Sequence, residues 1–171
     1  MADALTAPFA VAAIVLCAAG FAKLRTPDPA VSALAAAGLG LTPALVQALA
    51  AGEILLGAWS VVLPGRLSAL LLACVYAAFC GLSAVLVRLR VACGCFGKRH
   101  APASNVHLLI SGALGLVALA AGLRVPHGAM WIAGRPLVSA VVLEAAIAAS
   151  AYATVLVYAE LPAIWSAWSA R

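Results

Sequence analysis

Two cysteines one residue apart, Cys93 and Cys95 in "RVACGCFGKRH" (residues 90–100), are the residues best suited to chemistry in this chain. A Cys-Gly-Cys unit closes a disulfide only across a very short ring. Gly94 supplies the backbone freedom that such a ring demands. Strained, accessible disulfides are the oxidising and labile ones, used in exchange rather than as staples. Arg90, Lys98, Arg99 and His100 surround the pair with positive charge, which favours thiolate over thiol. The spacing and setting therefore point to thiol–disulfide exchange, with Cys93 and Cys95 as the redox pair.

The same residues allow a second chemistry. Cys93, Cys95, His100 and His107 are four soft or borderline donors, and a Cys-x-Cys pair suits copper(I). Structural zinc sites space their cysteines more widely, and basic neighbours repel a cation. Metal binding stands as the alternative, in a membrane transporter. A non-enzymatic assembly factor with incidental cysteines is the other.

The elements that position the pair follow from composition. Of 171 residues, 67% are hydrophobic and 9% charged, against roughly 25% charged in soluble domains. Lipid is the solvent implied, and the protein is expected in the plasma membrane as a multi-pass chain. The net charge of +5 sits at the ends of apolar runs, the placement of membrane-flanking residues, which excludes nucleic acid as the partner. Apolar runs at 7–22, 43–63, 67–87, 105–124 and 137–160 are candidate spans, since a bilayer core takes about 20 helical residues. The first is short and lacks a basic leader, so it reads as a retained span rather than a signal peptide. Pro27 and Pro29 end it. Residues 29–40 are apolar but too short to cross, and suit an interfacial helix. "LPGR" at 63–66 makes spans two and three a hairpin, and Ser104 or Asn105 caps the fourth. The expectation is an all-α bundle of four to five transmembrane helices in a single domain over residues 1–171.

Inside that bundle, Glu53 of "AAGEILLGAW" lies at mid-span. A carboxyl at that depth is protonated or paired. It is a proton carrier, a hydrogen-bond donor to a quinone, or a packing contact. Glu144, nearer a helix end, poses the same question. Cys17 and Cys80 are a geometrically possible relay to the loop, but buried cysteine more often behaves as a small hydrophobe.

With these motifs in place, the chain resembles the MauE family of redox-associated membrane proteins, related to the DoxX group. The resemblance rests on "FAKLRTPDP" after the first span, the acid in "GEILLG", "CGCFG" after the third, and the order of spans. It implies a disulfide-formation factor for exported proteins, with a thioredoxin-like protein or a cysteine-containing client as partner. The family role extends to the disulfide-rich small subunit of methylamine dehydrogenase. Cys93 and Cys95 are the pair so implied, walled by Phe96, with Lys98 and Arg99 stabilising the leaving thiolate. By function this is similar to the DsbB and vitamin K epoxide reductase class, which passes electrons to a quinone through a second cysteine pair. Here Cys17, Cys74 and Cys80 form no C-x-x-C motif.

Five spans place the interfacial helix and the cysteine loop on one face. That face holds Lys23, Arg25, Arg88, Arg90, Lys98, Arg99 and Arg171, against Arg66, Arg124 and Arg135 opposite. Charge bias puts this face in the cytoplasm, whereas disulfide chemistry puts it outside. The outer face is favoured by a narrow margin.

Overall fold

The computed structural model describes residues 2–94 and 103–169, with side chains for 4–94 and 103–161. Every regular element among them is helical: α1 (Ala2–Arg25), α2 (Asp28–Ala36), α3 (Pro43–Val62), α4 (Arg66–Leu89), α5 (Asn105–Leu123), α6 (Ala129–Ala133) and α7 (Leu137–Ser169). Five of them, all but α2 and α6, are long and apolar enough to cross a membrane. The expected all-α membrane bundle is what the chain forms, with five helices that qualify as spans.

The core lies around α1, which packs against α3, α5 and α7. Phe9, Ala12, Ala13, Val15 and Leu16 are buried there against Leu72 and Tyr76 of α4 and Ala118 of α5. Leu55, Leu109, Leu116 and Leu123 face outward instead. An apolar exterior over a small-residue core is the pattern of a bundle solvated by lipid, where association depends on close packing. The α1–α3 contact depends on it most. A Cβ at Gly20 would stand 2.6 Å from the carbonyl oxygen of Ala50, and one at Gly57 would stand 2.6 Å from that of Ala13. Helix backbones approach this closely only where a side chain is missing. Tyr76 then ties α4 to α1, its hydroxyl donating to the Ala12 carbonyl at 2.7 Å.

Three boundaries differ from the sequence reading. The first helix runs to Arg25 instead of stopping at residue 22, because Lys23 is accommodated inside the bundle and does not have to leave it. The short helix after it spans Asp28–Ala36, with Pro29 in its first turn, where no amide donor is required. Gly38, at φ +84°, ends it, with Leu39 N–H donating to Leu34 O and Gly38 N–H to Ala35 O. The last helix continues past residue 160 to Ser169. The 125–136 connection, read as a plain link, contains α6. Its Trp131 ring is stacked on His127 at 4.4 Å, with the Arg135 guanidinium 3.8 Å from the Trp131 centroid.

Candidate functional site

The described half of the cysteine motif begins where α4 stops. Arg90 adopts the left-handed conformation at φ 56°, Val91 N–H donates to Leu86 O, and Arg90 N–H donates to Val87 O. This glycine-type helix stop, made here by arginine, turns the chain sharply off the α4 axis. Ala103 N–H donates to Val91 O at 2.8 Å, so the chain returns beside its exit point before α5 begins. Ser104 and His107 open α5, the Ser104 N–H donating to His107 Nδ1 at 3.2 Å.

Cys93 is buried, in a small cluster with Ala33 of α2, Leu86 of α4 and Ala103. Gly94 sits at φ +67°. A Cβ there would stand 2.4 Å from Pro29 O and 2.9 Å from Ala30 N. The glycine of the motif thus meets the first turn of α2 backbone to backbone. Two requirements, a left-handed φ and a missing side chain, coincide at one residue. The interfacial helix and the cysteine segment share a face, as five spans require, and α2 covers Cys93.

Cys95, Phe96, Lys98, Arg99 and His100 lie outside the described residues, so the pairing of Cys93 with Cys95 and the cationic setting carry no geometry. Of the alternative metal set, His107 is buried, its Nδ1 engaged by Ser104, its carbonyl accepting from Tyr158 Oη at 3.0 Å, and its ring edge-on to Tyr158. Among the described residues no three histidine, cysteine or acidic side chains group as metal ligands.

Glu53 takes the paired state of the two expected for it. Lys23 Nζ lies 2.5 Å from Glu53 Oε1 and from Oε2, with both side chains at about a tenth or less of their full exposure. The ammonium also stands 4.5 Å from the Phe79 centroid on α4. One cation thereby joins α1, α3 and α4. Sequence reasoning placed Lys23 among the flanking charges. Its spacing from Glu53 carried no local signal, because the partners are 30 residues apart. Removing Lys23 from the flanking count lowers the excess on the cysteine face but leaves its sign.

The proposed relay thiols sit on separate helix seams. Cys17 Sγ donates to Ile54 O at 3.5 Å between α1 and α3, and Cys80 Sγ donates to Leu108 O at 3.7 Å between α4 and α5. These are weak bonds to backbone, and they make each thiol a packing element of its own seam.

Comparison with known proteins decides the family. The model for methylamine utilisation protein MauE matches residues 1–125. The chain belongs to the MauE family. The match takes in α1 to α5, and with them Lys23, Glu53, the α2 cover and the whole cysteine segment. No curated protein and no solved structure matches the chain. As a MauE-family chain with five spans, it is a multi-pass membrane protein associated with methylamine utilisation.

Proposed function

We propose that this protein is a membrane thiol–disulfide exchange factor that oxidises exported cysteine-containing proteins, working through Cys93 and Cys95. The observation that carries the reading is Gly94. A left-handed glycine, seated on the backbone of α2 beside a buried Cys93, is an arrangement that an idle loop has no need to maintain. MauE-family membership supports the same reading.

The chemistry is a two-step exchange. A partner thiolate attacks one sulfur of the Cys93–Cys95 disulfide, a mixed disulfide forms, and the other cysteine leaves as thiolate. A second partner thiolate then attacks the mixed disulfide, which releases the partner oxidised and the Cys93–Cys95 pair reduced by two electrons. Lys98 and Arg99, close to the pair in sequence, supply the positive charge that favours the departing thiolate. Reoxidation needs a two-electron acceptor, and a lipid-soluble quinone is the class suited to a helical bundle. The partner is a thioredoxin-like protein or the client itself, and the exchange face lies on the outer side of the plasma membrane, where disulfides persist.

Alkylation mass shift on membranes tests this. Exchange chemistry requires a 93–95 disulfide that opens with reductant and re-forms on its removal. Thiols that stay reduced and are shielded by copper(I) or zinc would instead assign the segment to metal handling. Alkylation from each side of intact cells fixes the orientation, with substituted cysteines at position 32, exposed on α2, and at position 97 expected to label from the same side.

A further inference from the structure

The membrane face opposite the cysteine loop holds a second site that the exchange chemistry does not use. A cavity of about 250 Å³ lies between α1, α3 and α7, roofed by the chain around α6. Its walls are apolar, chiefly Phe9, Ile132 and Ile147. Among the described residues, two polar side chains on them have no partner. Ser60 Oγ is fully buried and makes no hydrogen bond. Glu144, exposed at the rim of the cavity about 10 Å along α7, makes no hydrogen bond or ion pair among the described residues. Thr6, on the same wall, already accepts from His127 N–H at 3.2 Å.

A lone buried hydroxyl and a carboxyl inside a membrane span are each unfavourable when unsatisfied. Here both border one cavity, and no lysine or arginine lines it. We infer that this cavity binds an organic monoammonium ion with an apolar body. The ammonium group donates to Glu144 and to Ser60 Oγ, and the hydrocarbon lies against Phe9, Ile132 and Ile147. A neutral amphiphile would satisfy the hydroxyl alone, whereas an ammonium ion also pairs with the carboxyl, one of the two states open to an acid at membrane depth, so the charge sets the class. The ammonium can belong to a free alkylamine or to an ethanolamine lipid headgroup. The inference is independent of the role of the cysteines.

The probe is n-hexylammonium, with n-hexanol as its neutral counterpart, titrated calorimetrically against the whole chain in phosphatidylcholine nanodiscs. Hexylammonium is expected to saturate one site and to bind at least about tenfold tighter than hexanol, the scale of one charge-assisted contact. Glu144→Gln should erase that preference. Ser60→Ala should weaken hexylammonium several-fold, and Ala148→Phe, at the exposed mouth, should block it. The last two keep the test decisive if Glu144→Gln fails to insert. Equal affinity for the two probes, a preference that survives Glu144→Gln, undiminished binding in Ala148→Phe, or no saturable binding because water alone fills the cavity would each overturn the inference. Nanodiscs containing phosphatidylethanolamine separate the sources. Competition with hexylammonium marks the lipid headgroup as occupant, and undisturbed binding marks a free amine.

Discussion

Gly94→Ala is the substitution with the clearest expected consequence at the cysteine segment. The new methyl group must occupy a left-handed backbone position, which is unfavourable by about 1–2 kcal/mol for a residue with a Cβ. It must also stand 2.4 Å from Pro29 O, a separation no Cβ tolerates. The obstacle is backbone, so no side-chain rotation relieves it. Relief comes only from moving α2 and the Cys93 segment apart, and forced overpacking of this kind is unfavourable by about 1–3 kcal/mol. Together the closed arrangement loses roughly 2–5 kcal/mol relative to one in which α2 has lifted from Cys93. At 1.4 kcal/mol per decade, the open population rises by more than about tenfold. The assay is the rate of maleimide labelling of Cys93, compared for Gly94 and Gly94→Ala in chains where the other four cysteines are replaced by serine. Labelling of a buried thiol follows the population of the open form when opening is fast. A rise of at least about tenfold is expected at unchanged insertion. Equal rates would show that the Gly94–Pro29 contact does not cover Cys93.

Three further outcomes follow from the packing. Glu53→Gln leaves the Lys23 ammonium buried without its counter-ion, so it should destabilise the bundle by about 3–5 kcal/mol, read as loss of folded protein in detergent. The double change Lys23→Leu with Glu53→Leu should recover most of that stability, and failure to recover would assign the pair a role beyond charge balance. Gly57→Ala puts a methyl group 2.4 Å from Cys17 Sγ and 2.6 Å from Ala13 O, which should lower thermal stability by about 1–3 kcal/mol. Adding Cys17→Ala should return only part of it, since the carbonyl contact remains. Tyr76→Phe removes the 2.7 Å bond to Ala12 O and should cost about 1–2 kcal/mol, measured by the same unfolding assay.

The bundle was legible because hydropathy reports directly on which segments lipid can solvate, and five runs of suitable length lie in the sequence. The interfacial α2 was legible from prolines at 27 and 29 and glycines at 38 and 40, which bound a segment too short to cross. Two features were not legible, for the same physical reason. Lys23 looks like a flanking charge because its partner, Glu53, is brought to it only by the close α1–α3 seam. Gly94 was assigned freedom for a strained ring, whereas its described contact is with Pro29, distant in sequence and adjacent only once α2 folds back under α4. The α6 turn went unread because five residues carry too little periodicity to separate helix from loop. At the far face, Glu144 drew notice as an intramembrane acid, yet Ser60 did not, since an orphaned hydroxyl is visible only once its surroundings are placed.

Trapping of a mixed disulfide measures the central claim most directly. Single-serine variants, Cys93→Ser and Cys95→Ser, are to be incubated in native membranes with a thioredoxin-fold protein or client in its disulfide form. Exchange through this pair means that the variant retaining the cysteine that forms the mixed disulfide accumulates a partner adduct, cleaved by dithiothreitol, and that the wild type oxidises the reduced partner with the loss of two thiols per turnover. Oxidation of the partner at wild-type rate by both single-serine variants, with no adduct in either, would contradict it.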